Sequence, residues 1–249
     1  MRFHDLPGEG LPIIFLHGLG CTSSMDYPDV ACQPELAGHR AILLDLLGSG
    51  YSDKPARADY SVSGHARRVR KLIRHLELDH VGLYGHSAGG SIALEVAHAL
   101  PDAVDVVVLG EGHLDAKGGA FSTRFAGMAD TADDPRLPQE FSKYLASLRQ
   151  VENDGRYAAA VASTLPQAAW GLSRSLIEGS ALSWRDILYS LPCPVTCLFG
   201  GHTTDAEKAE LLSHHVPVDT VPDAGHSMAW ENPHGLAQAI ARAIARVGN

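Results

Sequence analysis

One seven-residue segment, Tyr84-Gly85-His86-Ser87-Ala88-Gly89-Gly90, constrains the folding of this 249-residue chain more than any other. Ahead of it, Asp79-His80-Val81-Gly82-Leu83-Tyr84 reads as a short buried strand; behind it, Ser91-Ile92-Ala93-Leu94-Glu95-Val96-Ala97 has apolar positions at helical spacing up to Pro101. A strand that becomes a helix within so few residues must pass through a tight, strained bend. Glycine at 85 and 89 removes the side chains that would collide there with neighbouring main chain. The bend leaves Ser87 at a helix N-terminus with its hydroxyl projecting above the sheet.

That is the placement a serine nucleophile needs, and Ser87 is the expected one. The Ala88 N–H, at the first turn of the helix, is an expected donor to an oxyanion formed beside it.

Further apolar runs occur at Pro12-Leu16, Arg40-Leu44, Val81-Tyr84, Val104-Leu109, Pro194-Phe199 and Val216-Val221, most of them separated by helical patterns such as Ser61-Leu76. Alternating strands and helices imply an α/β fold with a mostly parallel central sheet flanked by helices. In such sheets the ligand crevice lies beyond the carboxyl ends of the strands, where the sequence holds His17, Asp45, Ser87, Glu111 and Gly200. The alternation stops between about Leu114 and Asp186, where helical stretches such as Gln139-Gln150 and Ala168-Glu178 follow one another. The expectation is a core of residues 1–113 and 187–249 carrying a helical cap insertion at 114–186. Phe121, Phe125, Tyr144, Tyr157, Trp170 and Trp184 in that insertion could wall an apolar pocket, although packing the cap onto the core needs many of the same rings.

With 29 acidic and 20 basic residues the net charge is −9, without a basic stripe, so the long-range field repels phosphate backbones and anionic lipid. Nucleic acid and membrane are not expected partners; a small-molecule substrate is, for a monomer or homodimer. No apolar run approaches the roughly 18 residues of a spanning helix, and the first residues lack a signal-peptide pattern, so a cytoplasmic location is expected. Cys21, Cys32, Cys193 and Cys197 lack metal-knuckle spacing and read as reduced, mostly buried thiols.

A serine nucleophile needs a base, and Asp223-Ala224-Gly225-His226-Ser227-Met228 places a histidine in a short loop between the last strand and the C-terminal helix. His226 is chosen from 14 histidines because nucleophile, acid and histidine then follow in the expected chain order. His214-His215 end a polar helical stretch without a third metal ligand and are expected at the surface. At Phe15-Leu16-His17-Gly18-Leu19-Gly20 a strand ends in a His-Gly turn that lets backbone approach a reacting carbonyl; the Leu19 N–H is the expected second oxyanion donor. Thr22 and Ser23 stand where a dinucleotide fingerprint needs its third glycine, which argues against a nucleotide.

Together, His17-Gly18-Leu19-Gly20, Asp45-Leu46-Leu47-Gly48-Ser49-Gly50-Tyr51-Ser52, Gly85-His86-Ser87-Ala88-Gly89, and Gly225-His226 followed by Glu231-Asn232-Pro233 make the chain resemble the α/β-hydrolase superfamily. The resemblance is to its serine-dependent members with a helical cap and runs from about residue 10 to the C-terminus. It implies a structural role for Asp45. The commonest arrangement of the superfamily puts the catalytic aspartate a few residues after Pro194-Phe199, but here the chain reads Gly200-Gly201-His202-Thr203-Thr204-Asp205, and Asp205 falls late, where it can cap a helix. A second arrangement places the acid after the preceding core strand, which here ends Val108-Leu109-Gly110-Glu111-Gly112. Glu111 is therefore preferred to Asp205.

These residues predict hydrolysis of a carboxylic ester or lactone, with no metal and no organic cofactor. Carbon–carbon bond hydrolysis of a diketone-like compound is the alternative with the same triad. Dehalogenases and epoxide hydrolases of this fold require an aspartate nucleophile, so Ser87 argues against both. A reading from another class is a non-catalytic small-molecule receptor on the same fold.

Overall fold

In the computed structural model, which describes residues 1–151, 155–201 and 205–247, seven strands form one sheet. They are β1 (Arg2–Leu6), β2 (Gly10–Leu16), β3 (His39–Asp45), β4 (Val81–His86), β5 (Val104–Gly110), β6 (Val195–Gly200) and β7 (Val218–Val221). Their spatial order is β1-β3-β2-β4-β5-β6-β7; β1 pairs antiparallel with β3 and every other pair is parallel. The mostly parallel sheet is the one expected from the alternating strands and helices, and the six expected strands are present.

The apolar runs are continuous because the sheet is covered on both faces. Ile14, Leu16, Ile42, Leu44, Val107 and Leu109 point into one layer of core, while Ile13, Phe15, Ala41, Leu43, Val106 and Val108 point into the other. Burying each large aliphatic side chain contributes about 1.5–3 kcal/mol, so the central strands carry much of the fold's stability.

The helices are α1 (Ser23–Asp26), α2 (Pro28–Ala31), α3 (Val62–His75), α4 (Ala88–Ala99), α5 (Ala120–Ala126), α6 (Leu137–Val151), α7 (Arg156–Ala162), α8 (Pro166–Glu178), α9 (Trp184–Ser190), α10 (Asp205–Ser213), α11 (Met228–Glu231) and α12 (Pro233–Ile244). Helix α3 begins where the Ser61 side chain accepts the Gly64 N–H. The segment between β5 and β6 forms α5 to α9. Residue 186 lies inside α9, and α9 packs against α4 of the core, where the Trp184 indole N–H donates to Glu95 Oε1 at 3.0 Å. Among the described residues no helix is long and apolar enough to cross a membrane.

The strand order sets the position of the site. From β2 the chain steps outward to β3, then returns to add β4 on the other side of β2. The crossovers leaving β2 and β4 diverge, which opens a crevice at the carboxyl ends of these two strands. Leu19 follows β2 and Ser87 follows β4, so both fall at its mouth.

Candidate active site

Ser87 has φ 51° and ψ −119°, a left-handed conformation that few non-glycine residues adopt. The surroundings hold it there. Its N–H donates to Gly110 O (2.9 Å), and its carbonyl accepts the N–H groups of Gly90 and His113 (2.9 Å each). A Cβ on Gly85 would stand 2.4 Å from Gly89 O, and one on Gly89 would stand 2.2 Å from Leu16 O. All these neighbours are main chain, so the bend is fixed by backbone that cannot easily give way.

The expected base and acid meet beside it. Glu111, also left-handed at φ 48°, continues from the end of β5. Its N–H donates to Leu198 O (2.9 Å), and its Oε1 accepts the Gly200 N–H (2.9 Å). Its Oε2 lies 3.8 Å from His226 Nδ1, within ion-pair range and longer than a hydrogen bond. Asp205 opens α10, and its side chain lies outside the described residues, as do His202, Thr203 and Thr204.

The loop carrying His226 is pinned on several sides. Gly201 N–H donates to Ala224 O (2.7 Å), Glu231 Oε2 accepts the Gly225 N–H (2.8 Å), and Asn232 Nδ2 donates to Pro222 O (2.8 Å). His86, one residue before the serine, sets its Nε2 2.8 Å from the His226 carbonyl, with the two rings 4.7 Å apart. Burial and the neighbouring His226 push the His86 imidazole down to about 3, so it is neutral and donates this bond through Nε2–H. Glu231 lies in the Glu231-Asn232-Pro233 stretch that follows the histidine, six residues from its partner Gly225, whereas the His86–His226 contact joins residues 140 positions apart and has no local signal in the sequence.

Leu19 and Ala88 flank the serine from the ends of β2 and β4. Neither backbone N–H has an acceptor among the described residues. Behind Leu19, the buried His17 accepts the Leu46 N–H at Nε2 (3.0 Å), which requires its proton on Nδ1, 2.8 Å from Gly18 O. Burial keeps that ring neutral. Asp45 stays out of the site: it accepts Ser24 N–H (3.0 Å), Ser24 Oγ–H (2.8 Å) and Tyr51 N–H (2.9 Å), tying three turns together.

Ser87, His226, Glu111 and Leu19 line one cavity of about 860 Å³. From the insertion come Phe121, Leu148, Tyr157 and Leu176; from the core side come Cys21, Asp26, Tyr27, Met228 and Trp230. Of the six aromatic residues weighed from the sequence, Phe121 and Tyr157 reach this cavity, edge to face with rings 5.4 Å apart. Phe125 and Tyr144 pack on each other, Trp170 donates to Ala129 O, and Trp184 is buried against α4. None of the four cysteines is in a disulfide; Cys21 and Cys197 are buried, Cys193 is half-buried and Cys32 is exposed, so two of the four are fully buried where most were expected to be. His214 and His215 are exposed, the former stacked 4.0 Å from the Tyr189 ring.

A family model described as alpha/beta hydrolase fold matches residues 12–195. The uncharacterized protein Rv2715 of Mycobacterium tuberculosis is 39% identical over 109 residues, which are 43% of this chain and 31% of that protein. A haloalkane dehalogenase of Mycolicibacterium paratuberculosis is 37% identical over 118 residues (46% and 39%), and a 2-hydroxymuconate semialdehyde hydrolase of a Pseudomonas species 37% over 111 (43% and 38%). The matches span about a third of the length of these relatives. Among solved structures, an esterase of Thermogutta terrifontis superposes with TM-score 0.79 at 21% identity, covering 100% of this chain and 94% of that one. The N-acyl homoserine lactonase AidH, complexed with N-butanoyl homoserine, superposes with TM-score 0.78 at 19% identity (99% and 93%).

Proposed function

The chain belongs to the alpha/beta hydrolase fold family, and from that premise we propose that it is a serine hydrolase cleaving a carboxylic ester or lactone of a small substrate. The observation that carries this reading is the strained serine at φ 51°, opening onto the same cavity as a histidine whose Nδ1 faces a half-buried carboxylate.

In the proposed reaction His226 Nε2 takes the Ser87 proton as Oγ attacks the substrate carbonyl carbon. The carbonyl oxygen becomes an oxyanion and accepts the Leu19 and Ala88 N–H groups, both free to donate. His226 then delivers the proton to the leaving oxygen. Water, deprotonated by the same imidazole, hydrolyses the acyl-enzyme. Glu111 holds the Nδ1 proton and stabilises the imidazolium formed in each half. Side chains and water account for every proton and bond, so the steps call on no cofactor. Helices α5 to α8 act as a cap whose Phe121 and Tyr157 face bound substrate.

A second reading, carbon–carbon bond hydrolysis, uses the same three side chains and is supported by the similarity to 2-hydroxymuconate semialdehyde hydrolase. Haloalkane dehalogenation is disfavoured despite the similar sequence stretch, because Ser87 stands where that chemistry needs an aspartate nucleophile. The deciding experiment is steady-state hydrolysis of a p-nitrophenyl ester panel by wild type beside Ser87→Ala. Loss of turnover by about 10⁴-fold or more in the variant, with unchanged melting, supports the serine mechanism. Folded wild type that turns over none of the esters rejects the ester reading.

A further inference from the structure

The core-side lobe of the cavity contains a carboxylate that the proposed reaction does not use. Asp26, in α1, is only 5% exposed and lines the cavity that Ser87 and His226 share. Its Oδ1 accepts the Trp230 indole N–H at 3.1 Å, and the Cys21 thiol also donates to it. Both partners are neutral, and no basic side chain pairs with Asp26 among the described residues. Next to it in the chain, the Tyr27 hydroxyl is buried with no hydrogen-bond partner among the described residues.

The whole cavity is electrostatically one-sided. Asp26, Glu111, Asp115, Glu207 and Glu231 line it, and no lysine or arginine does among the described residues. Asp115 is paired with Arg185, while Glu111 faces the His226 ring, which carries charge only when protonated. Asp26 has no such basic partner among the described residues, and burial shifts its carboxyl up to about 7. An unbalanced buried carboxylate is costly until a cation reaches it. Trp230 and Tyr27 also line the cavity, and an ammonium group is attracted to the face of an aromatic ring.

We propose that Asp26 makes this cavity select substrates that carry a protonated amine over substrates of the same size that carry a carboxylate. The proposal deepens the ester-hydrolase reading and rests on it for the identity of the scissile bond; the charge selection itself can be measured without turnover.

The test compares three p-nitrophenyl esters of similar length at pH 8: 6-aminohexanoate, hexanoate and the adipate half-ester. The ratio of kcat/KM for the cationic ester to that for the anionic ester is expected to reach about 100 in wild type and to fall at least about 10-fold in Asp26→Asn, whatever the absolute rates. Asn keeps an oxygen for the Trp230 N–H. Calorimetric titration of Ser87→Ala with hexylamine, hexanol and hexanoate gives the second readout, with hexylamine expected to bind about 10-fold more tightly than hexanol and hexanoate most weakly. Equal rates for cationic and anionic esters, or equal binding of hexylamine and hexanoate, overturn the proposal while leaving the hydrolase reading intact. Selective hexylamine binding without turnover of any ester upholds the charge selection and removes the ester reading instead.

Discussion

The two walls of the cavity are built differently. At the strand ends the positions are set by main chain: Ser87 is bonded to Gly110, Gly90 and His113 through its own backbone, Glu111 to Leu198, and Gly201 to Ala224. Across the cavity, the insertion meets the core through scattered contacts, such as Leu165 N–H to Gly48 O (2.8 Å), Val62 N–H to Ser175 Oγ (3.0 Å) and the Tyr157 hydroxyl 3.5 Å from Leu19 O. Its lining includes Gly118 and Gly119 and the side chains of Phe121, Leu148, Tyr157 and Leu176, of which Phe121 is 46% exposed. A backbone-built wall fixes atoms to within a few tenths of an ångström, as proton transfer requires. A side-chain wall can change shape without disturbing the fold, which suits it to sorting substrates.

The sharpest way to break this comparison is at Glu111. Glu111→Gln keeps an oxygen for the Gly200 N–H, so the main-chain frame should persist and the melting temperature should stay within a few degrees of wild type. Turnover of a reactive ester should nonetheless fall by up to about 10⁴-fold, because an amide can donate to Nδ1 and favour the wrong tautomer of His226. Activity near wild type in Glu111→Gln with collapse in Asp205→Asn would move the acid to α10 and leave Glu111 as scaffolding.

A second comparison contrasts glycines of the two walls. The Cβ introduced by Gly89→Ala would press on Leu16 O and His17 O at 2.2 and 2.8 Å, both main chain. It should cost at least about 1–3 kcal/mol in chemical denaturation, with activity reduced as the elbow shifts. Gly119→Ala, on the insertion side of the same cavity, meets no atom of the described residues within 4 Å and should change stability by no more than about 0.5 kcal/mol. Equal costs at the two positions would show that the insertion is as rigidly seated as the strand ends.

What could be read from the sequence divides along the same line. Six strands, the elbow and the loop of His226 announce themselves locally, because buried parallel strands are continuous apolar runs and tight bends require glycine. Strand β1 did not: Arg2, His4 and Asp5 interrupt Phe3 and Leu6 at an exposed antiparallel edge, where pairing with β3 and not burial defines the strand. Nor could the sequence separate Phe121 and Tyr157 from the other aromatic residues of the insertion, since all occur in helical patterns and only packing decides which rings turn inward. The Asp26–Trp230 contact joins residues 204 positions apart in the chain and follows no local pattern.

The smallest expected effect concerns the insertion wall alone. Phe121 touches the cavity and Tyr157 but stands 46% exposed, so Phe121→Ala removes little buried area and should leave the melting temperature nearly unchanged. If that ring contacts the acyl chain, its loss removes part of one apolar contact, worth about 1–2 kcal/mol at most. The KM for longer p-nitrophenyl esters should then rise several-fold relative to the acetate ester, with kcat for acetate preserved. A uniform fall in kcat across all chain lengths would instead mean that the insertion helps to position Leu19 through Tyr157, and the division between a wall for chemistry and a wall for selection would fail at that contact.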